Sequence, residues 1–216
     1  PLAENLLQEY PHLVEDAVRV KSSFVGGDVV YGDSRIPLAG RYVDENFFKL
    51  FDFPLIGGNI ENVLEAPFSM VLTKESAEKL FGSENPIGKS VKLNDSGLNT
   101  LDIDLLTTDN KETLLGDFTV TGVVDTALPS HIQFEFLVSM ATIPALVKQG
   151  KSEATFDDWK NYFDGYLYVL LKEGKTEKDL TPILSDISTE RYAANEDINI
   201  WFWVHFVNFL YNFIYS

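Results

Sequence analysis

SMVLTKESAEKLFG, residues 69–82, decides the fold. Ser69 to Leu72 form a short apolar, β-prone run, and Thr73 has the hydroxyl that caps a helix N-terminus. Ala77, Leu80 and Phe81 then recur at helical spacing, and Gly82 stands where a helix needs a residue free to turn back. A strand therefore passes directly into an amphipathic helix.

Working outward, FTVTGVV (118–124) alternates as a half-buried strand, and HIQFEFLVSM (131–140) reads as another strand. Upstream, DENFFKLFDFPLIGGN (44–59) predicts a short helix on Phe47, Phe48, Leu50 and Phe51, ended by Pro54 and a Gly57-Gly58 turn. SSFVGGDVVYGDSRIPLAGRYV (22–43) alternates β-prone runs with Gly-Asp turns, the pattern of a hairpin or meander. Before it come a strand near Ala17 to Val20 and a helix with Leu2, Leu6, Leu7 and Tyr10 on one side, closed by Pro11.

The C-terminal third has its own pattern. TFDDWKNYF (155–163) opens with Thr155 and Asp158 at capping-box spacing and predicts a short helix. YLYVLLK (166–172) predicts a strand, and TEKDLTPILSDISTERY (176–192) a helix with Leu180, Ile183, Leu184 and Ile187 inward. Pro182 either kinks that helix or marks its start. DINIWFWVHFV (197–207) resumes β character, so residues 166–207 predict a β-α-β unit with a right-handed crossover. The fold class is α+β.

The last sixteen residues, WFWVHFVNFLYNFIYS, hold eight aromatic side chains and no fixed charge. As a helix they would reach about 24 Å, short of a hydrocarbon core of about 30 Å, so they cannot cross a bilayer alone. Aromatic and β-branched residues suit a strand, and Trp and Tyr also suit the membrane interface.

Composition limits the partners. In 216 residues 45% are apolar, enough for a sizeable core, and 17 Lys plus Arg face 33 Asp plus Glu for a net charge of −16. That balance excludes nucleic acid and anionic lipid as general partners. With no cysteine, disulfides, thiolate chemistry and Cys-based zinc sites are absent. The opening PLAENLLQEY has neither the basic start nor the apolar run of a signal peptide, and Pro1 in place of Met points to a fragment of a longer chain.

No motif supplies chemistry. GSENPIGKS (82–90) has five residues between Gly82 and Gly88 where a P-loop has four, Pro86 removes an amide donor, and the stretch follows a helix instead of a strand. His12, His131 and His205 lack partners at metal-ligand spacing. Counting from Asp102, an EF-hand would place Gly at Thr107 and Glu at Thr113, so Asp102, Asp104 and Asp109 read as a solvated loop. Ser69, Ser76 and Ser139 are in no nucleophile elbow. The adjacent pairs Asp44/Glu45 and Asp157/Asp158 fit capping or solvation better than acid-base work. No catalytic, cofactor-binding or metal-ligating set is therefore assigned.

YVDENFFKLFDFPLIGGN (42–59), VLTKESAEKLFGSENPIGKSVKLN (71–94) and FTVTGVVDTALPSHIQFEFLVSM (118–140) resemble, in order and spacing, the MacB-like periplasmic core domain of FtsX-like ABC transporter permeases, in wording close to the Bacteroidetes branch. The most specific pieces are FFKLF followed by Pro and Gly-Gly, and LFG-x-x-NPIGK. The segment 94–117 is longer and more polar than the family pattern. The resemblance implies a porter-like half from residues 1–40 and 155–216 around an inserted sabre-like half, 41–154. It also implies a periplasmic domain of an inner-membrane permease, with its membrane helices outside these 216 residues and the aromatic tail as the last porter-like strand approaching one of them. Such a domain is not itself an enzyme; it passes conformational change from a cytoplasmic ATPase subunit to export a substrate or regulate a periplasmic partner. The implied partners are that ATPase, a second permease copy, and a periplasmic adaptor or outer-membrane component. The alternative is a free-standing periplasmic ligand-binding or adaptor protein. A hydrolase ranks third, since it would need a nucleophile and base meeting in a cleft.

Overall fold

A computed structural model describes residues 1–21, 25–95, 113–126, 130–152, 159, 165–192 and 202. The elements run α1 (Leu2–Glu9), β1 (Val14–Lys21), β2 (Val25–Tyr31), β3 (Ser34–Val43), α2 (Phe47–Leu50), β4 (Leu55–Gly57), β5 (Ser69–Thr73), α3 (Lys74–Phe81), β6 (Ser90–Asp95), β7 (Thr113–Val124), β8 (Phe136–Ser139), α4 (Thr142–Lys148), β9 (Gly165–Leu171) and α5 (Glu177–Tyr192). They fall into two compact units. One is Ala17–Tyr168; the other combines Leu2–Asp16 with the described residues from Val169 onward.

In the first unit the strands pair in the order β2-β6-β7-β5-β8-β3, and β2 pairs again with β3, so six strands close on themselves. The ring is mixed: β5 with β7 and β8 with β3 are parallel, and its other pairings are antiparallel. Closure leaves no ring strand with an open edge. β1 joins β3 outside the ring, through Val20 opposite Val43, and β4 joins β7.

Alternate residues of the ring strands gather into one core, with Val29, Met70, Leu72, Leu93, Phe118, Val120, Phe136 and Val138 packed with Leu80 and Phe81 of α3 and Ile143 and Leu146 of α4. A second core takes the opposite faces, Val71 and Leu137, together with Val18, Val20, Val43, Phe47, Phe48, Phe51 and Leu64. β5 and β8 lie between the two cores and are buried at every position. That placement is why SMVLT reads as an unbroken run instead of an alternating one.

Gly40 marks the corner where β3 pairs with both Val25 of β2 and Phe136 of β8. A Cβ there would collide with the Phe136 ring, so the close approach of ring and backbone requires glycine. The β5-α3 junction is as the sequence predicts. Thr73 Oγ1 accepts from the Ser76 N–H at 3.2 Å and donates to Ser76 Oγ at 2.8 Å, while Gly82, at φ 62°, donates its N–H to the Glu78 carbonyl.

Several expectations change. α1 buries Ala3 and Leu6 and leaves Leu7 37% exposed, so its inward face is rotated toward the smaller residue. β1 extends to Val14 and Lys21. Over 118–124 β7 alternates up to Gly122; Val123 and Val124 are then both buried, where β4 joins the strand. The strand in HIQFEFLVSM is confined to Phe136–Ser139. α4 was not anticipated; its N-cap is Ala141, which provides no side-chain bond, so the usual start signal is missing.

In the second unit, α5 starts at Glu177 with Pro182 inside it, not at its start. Asp179 Oδ2 accepts from the Thr176 N–H and hydroxyl at 2.8 and 3.0 Å, a cap that sets the start five residues before the proline. Those bonds hold the Asp179 carboxyl below its ordinary value. Thr181, beside the proline, donates its hydroxyl to the Glu177 carbonyl at 2.8 Å. The helix expected over 155–163, the loop 96–112 and the strand expected over 197–207 lie outside the described residues, apart from Trp159 and Phe202.

Two glycines test the corner. Gly40→Ala is expected to cost about 1–3 kcal/mol by overpacking. Gly57→Ala, whose Cβ would meet Ile87 no closer than 3.5 Å, is expected to be near neutral. Denaturant midpoints of the two variants give the comparison, and equal midpoints would contradict it.

Candidate functional site

Most residues singled out in the sequence hold local structure in the fold. In GSENPIGKS, the Ile87 N–H is taken by Asn85 Oδ1 at 3.0 Å and the Gly88 N–H by the Val120 carbonyl at 2.7 Å. Lys89 pairs with Glu84 at 3.3 Å and lies 5.8 Å from the Tyr31 ring centroid. The amides and lysine that a phosphate would need are thus committed to holding this turn against β2 and β7.

The serines are equally committed. Ser76 Oγ receives the Thr73 hydroxyl, Ser139 Oγ accepts from the Ala141 N–H at 3.2 Å, and Ser69 is buried with its N–H on the Ala66 carbonyl. His12 is exposed, with its ring centroid 6.3 Å from that of Tyr10. His205, Asp102, Asp104, Asp109, Asp157 and Asp158 lie outside the described residues. Among the described residues no group of three or more His, Asp or Glu could hold a metal ion.

Asp44 and Glu45 diverge. Asp44, the residue after β3, takes a fork from Arg19 of β1: Nη2 to Oδ1 at 2.8 Å and Nε to Oδ2 at 3.0 Å. Its Oδ2 also accepts the Arg19 backbone N–H at 2.7 Å, and the Asp44 N–H reaches the Arg19 carbonyl at 3.3 Å. Two residues on, Asn46 Nδ2 donates to the Ala17 carbonyl at 3.1 Å. Glu45 instead borders a shallow groove of ≈ 210 Å³ with Asn46, Lys49, Glu61 and Glu65, smaller than the ~300 Å³ at which ligand pockets begin. Arg19 was missed in the sequence because 25 positions separate it from Asp44 and charge alone names no partner.

A second grouping lies at the first unit's exit strand. Phe47, Phe51, Phe53 and Phe134 stack in a run of ring contacts, and the Tyr168 ring meets Phe51 edge-on at 4.9 Å. His131 Nε2 is 2.9 Å from the Tyr168 hydroxyl, and Tyr166, 61% exposed, is beside Tyr168. Burial pushes the His131 imidazole below its usual value and the Tyr168 phenol above its own. Ser130, the residue before His131, accepts at Oγ from the Ile132 N–H at 3.1 Å, and the ring contacts anchor β9.

The comparisons with known proteins place this fold in a family. The family model for the MacB-like periplasmic core domain matches residues 1–185, and the chain belongs to that family. It is a periplasmic domain of the ABC transporter permease family. Similar solved structures include a domain of a putative permease protein from Porphyromonas gingivalis, at TM-score 0.63 and 20% identity over 88% of this chain and 76% of that one. The periplasmic region of MacB from Actinobacillus actinomycetemcomitans aligns at TM-score 0.56 and 17% identity, covering 86% and 72%. The extracellular domain of the noncanonic ABC-type transporter YknZ, from Gram-positive bacteria, aligns at 0.52 and 13%, covering 89% and 90%. No curated protein matches the chain. Among the described residues no helix is long and apolar enough to cross a membrane.

His131 gives a pH test with a definite sign. Its folded-state value is depressed, so its contribution to stability is present above the unfolded value of about 6.5 and is lost as pH falls through the folded value. His131→Gln should therefore show a smaller fall in melting temperature between pH 7 and pH 5 than the parent. Parallel curves would contradict this.

Proposed function

We propose that this domain transmits conformational change from a cytoplasmic ATPase, through the permease membrane helices, to the periplasm, where it drives export of a substrate or control of a periplasmic partner. The observation that carries the reading is the family match over residues 1–185. The unit built from Leu2–Asp16 and from Val169 onward supports it, because segments from both ends of the chain share one body. Displacement delivered at either end then moves a single element instead of pulling two apart.

In this reading ATP is bound and hydrolysed on a separate subunit, the permease acts as a pair of copies, and an adaptor or outer-membrane component receives the motion. The chain's part is mechanical: two arrangements whose populations nucleotide shifts at a distance.

Hydrogen exchange of this domain in the full-length permease, reconstituted with its ATPase, tests the reading. A non-hydrolysable ATP analogue is expected to change exchange in α1, α5 or β1 relative to nucleotide-free complex. Identical exchange across the domain in both states would contradict it.

A further inference from the structure

We propose that the Arg19–Asp44 fork, with Asn46 on the Ala17 carbonyl, is the coupling clamp through which motion enters the first unit; this rests on the transmission reading above. The chain passes from Asp16 of the second unit to Ala17 of the first within a single strand, β1, and returns between Tyr168 and Val169 within β9. Displacement along the backbone therefore enters the first unit on β1 and on β9, and the clamp lies on the β1 route.

Arg41 of β3 donates Nη1 to the Lys21 carbonyl at 3.2 Å, and Val20 of β1 pairs with Val43, where β3 ends. Beyond that point side chains continue the ladder. Asp44 accepts from the Arg19 N–H at 2.7 Å while returning its own N–H to the Arg19 carbonyl, and Asn46 takes the Ala17 carbonyl at 3.1 Å. The guanidinium fork closes over the same carboxylate, whose side chain is 15% exposed. Charge-assisted, forked bonds resist both sliding and peeling better than a single backbone bond.

The far end of the clamp is rigid. Asp44 and Asn46 lead directly into α2, whose Phe47 and Phe48 are fully buried in the second core beside Val43, Val71 and Leu137. Val71 and Leu137 belong to β5 and β8, the ring strands shared by the two cores. Movement of β1 thus reaches the closed ring through this carboxylate and amide alongside the Val20–Val43 pairing and the packing of Val18 and Val20 in the second core, a short path into a body that does not deform continuously.

The test uses the full-length permease with its ATPase, spin-labelled at Asp33→Cys in the first unit and Ser185→Cys in the second; the 216 residues hold no native cysteine. A non-hydrolysable ATP analogue should shift the distance between labels. Asp44→Asn keeps an acceptor for the Arg19 N–H but loses the ionic fork, and is expected to reduce the shift by more than half at unchanged ATPase rate. Asp44→Ala should abolish the shift and Arg19→Lys leave it intermediate; if Asp44→Ala does not fold, the other two carry the test. A full shift in these variants, with faster exchange at the Arg19 amide showing the clamp broken, overturns the clamp and leaves transmission standing. No shift in the parent overturns transmission itself.

Discussion

Closure of the six-stranded ring is the constraint on which the rest of this molecule depends. It satisfies the edges of β2, β3, β5, β6, β7 and β8 with one another, and it forces β3 to serve two partners at Gly40, where only a hydrogen leaves room for the Phe136 ring. Once the ring is closed, β5 and β8 have core on both faces, and the helices that follow them, α3 and α4, must fold back onto the first core. Phe68 shows how firmly this is imposed. It keeps a positive φ of 61° without being glycine, held by its N–H on Thr142 Oγ1 at 2.8 Å and by its ring against Phe118.

The local elements were legible where one signal dominated. Thr73 and Gly82 bracket α3, Gly32-Asp33 joins β2 to β3, and the Phe47 to Phe51 run makes α2, because each is decided within a few residues. What was not legible depends on distant partners. Nothing in FTVTGVV reveals that its second half is flanked by β4 and β5, and nothing in the hairpin pattern reveals that β2 also pairs with β6. The uncapped start of α4 gave no signal, and Pro182 was misread as a possible start because the Thr176–Asp179 cap competes with it and wins.

The functional reading divides the same way. The family was legible from the spacing of FFKLF, Pro, Gly-Gly and LFG-x-x-NPIGK, turn and core signals that the fold places at α2, β4 and the end of α3. The Arg19–Asp44 pairing was not, since Asp44 beside Glu45 reads as an ordinary acidic pair until β1 is laid against the end of β3. Tyr168 and His131 meet only because β9 returns beside β1. Such long-range contacts are set by the fold, and the short-range motifs report only the scaffold.

The most direct measurement is to read the coding sequence on either side of Pro1 and Ser216 in the intact gene. The account predicts an apolar run of about 20 residues on each side, long enough to span a bilayer and deliver displacement to both ends of the domain. A cleavable signal before Pro1 and a stop codon after Ser216 would contradict it, and would make the chain a free periplasmic protein.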